Sequence, residues 1–222
     1  MSGKPVTQQE AGQGLQAALL KGIKEGAAAL SETGGYLNKP EFRIPLPEEA
    51  QIVERRLRSL GLDRQVDRVI TSLNHAAEEA AKESVPVFES VIRQLTFADA
   101  LAIVKGDKNA ATEFLKQKTY AELQQRYQSP IKQALDKVEA TAYWGEIMTR
   151  YNSIPFVDKV NPDLEAYVTE KALDGLFQMV QREEAAIREN PAARTSEILR
   201  RVFSLQDAES WYRISENYSI SA

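Results

Sequence analysis

The side chains best placed to do chemistry are Asn74, Tyr151, Asn152, Lys171 and Asp174. Lys171 and Asp174 stand three residues apart, which puts them on one helical face beside apolar neighbours, the pattern of a partly buried ion pair. Joined by two amides and a phenol, such a pair can hold a small anionic or polar ligand in a groove between helices. The same spacing also serves a structural ion pair that fixes helix register. No catalytic residue, metal ligand or cofactor is assigned. The chain has one histidine, His75, in the order His75-Ala-Ala-Glu78, so two Glu-x-x-His pairs for a di-iron site cannot be assembled, nor can a His-Glu-x-x-His zinc site. A serine triad would have to recruit His75, and no Gly-x-Ser-x-Gly elbow exists for it. The absence of cysteine removes disulfides, thiolate metal sites and cysteine nucleophiles. His75 reads as a surface or satisfied helix residue. Gly12-Gln-Gly14-Leu-Gln-Ala17 matches a loose dinucleotide fingerprint, but no strand precedes it and no βαβ unit surrounds it.

Charge narrows the partners. Lys and Arg number 28 against 32 Asp and Glu, a net charge of -4, so no global positive field attracts nucleic acid. Locally, Arg55, Arg56, Arg58, Arg64 and Arg68 gather around Gly61. They can bind acidic lipid head groups, polyanions or a partner's carboxylates. Glu54, Asp63 and Asp67 interleave with them, and the competing reading is a salt-bridged, solvated face. The group Arg194, Arg200 and Arg201 has the same two readings. Tyr143, Trp144, Tyr151 and Phe156 at helical spacing form either plain core or the wall of an apolar cavity.

The elements that must position these residues are helices. With 43% apolar and 27% charged residues, the composition is that of an ordinary globular chain, and apolar positions recur every three to four residues almost throughout. The fold class is all-α, an irregular bundle of about nine helices with short connectors. Thr7 and Glu10 make a capping box for a first helix striped by Leu15, Leu19, Ile23, Ala27 and Leu30. Its glycines Gly12, Gly14, Gly22 and Gly26 require docking to hold it. Residues 33–47 form the longest irregular stretch, anchored by Tyr36, Leu37, Phe42 and Ile44. Pro47 fits the first turn of a second helix that Gly61 stops, and a third carries Val66, Ile70, Leu73 and Ala77. Pro86 starts a fourth helix, and Thr96 with Asp99 caps a fifth. A sixth carries Phe114 and Leu115. Thr119 with Glu122, and Ser129-Pro130, each read as a further helix start. One more helix passes through Trp144 to Tyr151. Asn161-Pro162 opens the longest, whose 183–189 end is expected to be solvated. A last helix carries Ile198 to Phe203. The expected organisation is a single domain over 1–203 and a tail over 204–222 that either docks through Trp211, Tyr212 and Tyr218 or stays partly mobile. No apolar run approaches the roughly 20 residues of a membrane span, and no leader pattern begins the chain.

Gly35-Tyr36-Leu37-Asn38, Arg43-Ile44-Pro45-Leu46-Pro47, the run from Tyr167 to Phe177 and Ile187-Arg188-Glu189-Asn190-Pro191 resemble the bacterial family known as domain of unknown function 4197. Asn74, Ala76-Ala77-Glu78, Asp107, Ala110-Ala111-Thr112 and Phe114 also follow its pattern, over about residues 13–203. The resemblance implies a helical fold and a bacterial envelope protein, periplasmic or envelope-associated, since members commonly carry a leader; a cytoplasmic location stays open. It implies no activity. The expected function is a non-enzymatic binding or interaction module for an envelope protein or small ligand. Two alternatives are a carrier of an amphipathic or anionic ligand between helices, and an enzyme using lysine and carboxylates.

Overall fold

In the computed structural model, the described residues are 8–137, 144–145, 149, 152–153, 155–156 and 163–189. Among them every regular element is helical. The helices are α1 (Gln8–Ser31), α2 (Gln51–Ser59), α3 (Asp63–Ala81), α4 (Ser84–Arg93), α5 (Phe97–Lys105), α6 (Ala110–Asp136) and α7 (Leu164–Glu189), with a 3-10 turn at Glu48–Ala50 before α2.

About nine helices are expected over the whole chain; within the described residues, the departure from that expectation is α6. Neither Thr119 nor Ser129-Pro130 starts a new helix: both lie inside one helix of 27 residues. Thr119 donates its hydroxyl to the Leu115 carbonyl at 2.7 Å, one turn back, instead of capping. Pro130 within a helix costs about 3 kcal/mol. Against this stands an unbroken four-residue stripe, Leu115, Leu123, Tyr127, Ile131 and Leu135, each fully buried. At roughly 1.5–3 kcal/mol per buried side chain, the stripe contributes on the order of 10 kcal/mol before chain entropy. Burial wins, and the helix runs through its local stop signals. The expected capping box at Thr7, the last helix over 198–203 and the tail over 204–222 lie outside the described residues, as does the start at Asn161-Pro162.

The described chain divides into two compact units. One holds residues 8–26, 86–119 and 179–189. Its core is Leu15, Leu19 and Ile23 of α1, Val87, Phe88 and Ile92 of α4, Ile103 of α5, Leu115 of α6 and Val180 of α7. Two of the glycines of α1 serve close approach here: a Cβ on Gly26 would lie 2.7 Å from Met179 Cγ, and one on Gly22 would lie 3.1 Å from Glu183 Cβ, whereas one on Gly12 would meet nothing within 4 Å. α5 begins as expected, with Thr96 Oγ1 accepting from the Asp99 N–H and Asp99 accepting from the Thr96 N–H. The Thr96 hydroxyl, donating to Asp99 Oδ2 at 2.6 Å, and then the Thr96 N–H hold the Asp99 carboxyl below its ordinary pKa.

The second unit holds residues 27–85 and 120–178 as far as they are described. Here the irregular stretch after α1 is tied down side chain by side chain. Gly34 takes a positive φ of 85° at the helix end, and a Cβ on Gly35 would lie 2.3 Å from the Leu30 carbonyl oxygen, so no other residue fits there. Tyr36 is fully buried and donates its hydroxyl to the Ala172 carbonyl of α7 at 2.8 Å. The ring is close enough that a Cβ on Gly175 would lie 2.8 Å from Tyr36 Cε1. Tyr167 of α7 donates to the Pro45 carbonyl at 3.0 Å. Sequence strings far apart in the chain therefore meet as a latch.

Candidate interaction face

Of the five residues singled out for ligand binding, Asn74 is the most fully committed. Its Oδ1 accepts from the Ile44 N–H at 2.8 Å, and its amide donates to the carbonyls of Ile44 at 2.9 Å and Ile70 at 2.8 Å. Both amide hydrogens are used and the residue is fully buried, so Asn74 acts on backbone, pairing α3 with the extended segment as a neighbouring strand would. Lys171 and Asp174 do pair, at 3.5 Å, with Lys171 half-buried and Asp174 exposed and side chains 42% and 52% accessible, so the pair is largely solvated. An exposed pair of this kind contributes little to stability. Asn152 is half-buried, and Tyr151 lies outside the described residues. His75 is exposed on α3. In the aromatic series, Trp144 is buried and Phe156 is exposed at a positive φ of 66°; Tyr143 lies outside the described residues.

Two buried carboxylates, Glu78 and Glu184, are not among the candidate site residues that the sequence offers. Glu78 Oε1 accepts three backbone N–H groups, from Gly34 at 3.0 Å and from Tyr36 and Leu37 at 3.2 Å. Glu184 corrects the expectation that the end of α7 is solvated, since it is 3% exposed. It accepts from the Ala111 N–H at 3.0 Å and from the Thr112 N–H and hydroxyl at 2.8 Å, and it pairs with Arg188 at 2.7 Å. The first turn of α6 has unsatisfied N–H groups and a positive dipole end, and a carboxylate from α7 supplies both the acceptors and the charge. Both glutamates lie in alanine-rich helical stretches, Ala76 to Ala81 and Glu184 to Ala186. A charge embedded among small apolar residues is the signal that could have marked them. They are occupied by backbone and do not converge on a substrate. Tyr36 and Tyr127, both fully buried, have hydroxyl pKa values pushed above the usual 10 chiefly by loss of solvent. They do not titrate near neutrality.

The polar feature left open to solvent is the arginine cluster, and its pairing is lopsided. Arg58 takes all three nearby carboxylates: Glu54 at 2.9 Å, Asp67 at 2.8 Å and Asp63 at 3.4 Å. Those bonds, Asp67 first, lift its pKa further above the normal arginine range. Arg55, Arg56, Arg64 and Arg68 are exposed and carry no ion pair among the described residues. The salt-bridged reading of the cluster holds for one arginine of the five.

α2 shows what surrounds two of the others. None of its residues is buried. Val53, Glu54, Leu57 and Arg58 are half-buried on the side where α2 packs on the 3-10 turn and α3. Ile52, Arg55, Arg56, Ser59 and the C-cap residue Leu60 are exposed. Their spacing of three, four, seven and eight from Ile52 places them on one face. Ile52 is 54% and Leu60 74% exposed. The face is thus two guanidinium groups between two bare aliphatic side chains, ended by Gly61 at a positive φ of 78°.

An all-helical chain whose irregular segment is locked to α3 and α7 through Asn74, Glu78 and Tyr36 defines a class by its latch. The residues making that latch are among those that carry the resemblance noted in the sequence. The chain belongs to the family described as protein of unknown function (DUF4197), whose model matches residues 5–204. No curated protein matches the chain, and no solved structure matches it. Among the described residues no helix is long and apolar enough to cross a membrane, and no group of three or more His, Cys, Asp or Glu is arranged to hold a metal ion.

Proposed function

We propose that this protein is a non-enzymatic interaction module of the bacterial envelope, and that it docks through the exposed face of α2. The observation that carries the reading is the monopoly of Arg58 on Glu54, Asp63 and Asp67. It leaves Arg55 and Arg56 unneutralised between exposed Ile52 and Leu60, in a chain whose net charge is -4. A soluble protein gains nothing in stability from such a face, whereas a partner carrying anions and apolar surface gains from both. The envelope location rests on the family resemblance alone.

Retention on an immobilised polyanion, heparin, tests the reading. Wild type should be retained at low salt, and Arg55→Glu/Arg56→Glu should elute much earlier while keeping its helical circular dichroism. Equal retention of the two proteins would refute the assignment of the face. The location is tested separately by fractionating cells that express the natural gene: recovery only in the cytosol would remove the envelope part.

A further inference from the structure

We infer that the occupant of the α2 face is the surface of an anionic phospholipid bilayer, with Arg55 and Arg56 on lipid phosphates and Ile52 and Leu60 inserted between head groups. This rests on the docking reading above and adds the identity of the partner. The geometry favours lipid for three reasons. First, the cationic and aliphatic groups alternate around a single exposed arc, so all four face the same side when the helix lies flat. Ile52 and Leu60 are eight residues apart, about 12 Å along the axis at about 1.5 Å per residue. A bilayer interface offers phosphate and hydrocarbon side by side at every point of that length, while a folded acidic partner would need an apolar groove rimmed by carboxylates. Second, residues 51–68 contain five arginines and no lysine. The guanidinium fork binds phosphate oxygens in pairs and is less strongly hydrated than an ammonium, which suits a headgroup layer. Third, the three carboxylates within residues 51–68 are all held by Arg58, on the half-buried side of α2 or on α3, and the exposed acid nearest the arc, Glu48, lies on the 3-10 turn before α2 begins. The exposed arc of α2 itself carries no negative charge.

The test is co-sedimentation of the full chain with vesicles of phosphatidylcholine containing phosphatidylglycerol, against vesicles of phosphatidylcholine alone. Binding to the anionic vesicles only, weakened by added salt, is expected. Arg55→Gln/Arg56→Gln should lower the partition coefficient about thirty-fold, at roughly 1 kcal/mol per arginine near an anionic surface. Ile52→Ser/Leu60→Ser should lower it about tenfold while leaving heparin retention unchanged, because only a bilayer has an interior for the aliphatic groups to enter. Leu60→Trp provides a direct readout: its emission should shift to the blue on anionic vesicles and stay put with neutral ones. All these positions are exposed, so the variants keep their fold, checked by thermal melts. Heparin retention that depends on the arginines, without vesicle binding, overturns the lipid assignment and leaves an acidic protein partner. Loss of both overturns the docking face itself.

Discussion

Replacing Asn74 by aspartate changes one amide nitrogen to oxygen and almost no volume, yet the structure makes it a severe change. The carboxylate can still accept from the Ile44 N–H, but its second oxygen faces the carbonyls of Ile44 and Ile70, to which Asn74 now donates at 2.9 and 2.8 Å. Two hydrogen bonds at about 1 kcal/mol each are lost, and buried carbonyls left without donors add about 1–3 kcal/mol. The expected penalty at neutral pH is therefore about 3–5 kcal/mol, a large share of the roughly 5–15 kcal/mol that holds a domain together. Protonation relieves part of it, because the neutral acid regains one donor. Burial beside two carbonyl oxygens raises the folded-state pKa of the introduced carboxyl above its unfolded value near about 3.9. The variant is thus closest to wild type below that unfolded pKa. Its deficit grows as pH rises and levels off above the folded pKa, by about 1.4 kcal/mol for each unit of separation. Urea unfolding of Asn74→Asp and wild type between about pH 4 and pH 8, where such a separation acts, measures this directly. A deficit under about 1 kcal/mol, or one flat across that range, would refute the assignment of Asn74 to backbone pairing and return it to the ligand-binding candidates.

Two further substitutions probe the other unexpected features. Glu184→Ala orphans the N–H groups of Ala111 and Thr112 and removes the carboxylate from Arg188, which is 10% exposed; the expected loss is about 3–5 kcal/mol by denaturant unfolding, with Arg188→Ala recovering part of it in the double variant. Additive losses would break the link. Pro130→Ala restores a backbone donor inside α6 and should raise stability by about 1–3 kcal/mol; a loss of stability would mean that the ring, not the stripe around it, holds that part of the helix.

What the sequence disclosed follows the range of the forces involved. Apolar spacing is a local property and marks α1, α3, α5 and α7; the capping box at Thr96 and the glycine stop at Gly61 are local as well. Thr119 and Ser129-Pro130 divide α6 in the sequence because they too are local signals, worth a few kcal/mol at most, and nothing local shows that every fourth residue from Leu115 to Leu135 is buried. The polar residues were harder for a different reason. Asn74, Glu78 and Glu184 find their partners 30 to 73 residues away, and those partners are backbone groups, which every residue but proline has alike. Only the finished fold determines which N–H groups lack a mate.

The arginine cluster carries the argument one step further. Counted along the chain, five arginines and three acids between positions 51 and 68 look largely self-neutralising. In space, Arg58 lies one turn after Glu54, and the turn at Gly61 brings Asp63 and Asp67 back to the same guanidinium, so one arginine consumes all three negative charges. Arg55 and Arg56 are neighbours of Glu54 in sequence but point along the opposite arc of α2, with Ile52 and Leu60. The same residues would give a neutral, solvated surface if the acids were shared evenly. The uneven pairing turns an unremarkable composition into a face with a sign, and a face with a sign and bare aliphatic groups selects its partner by both.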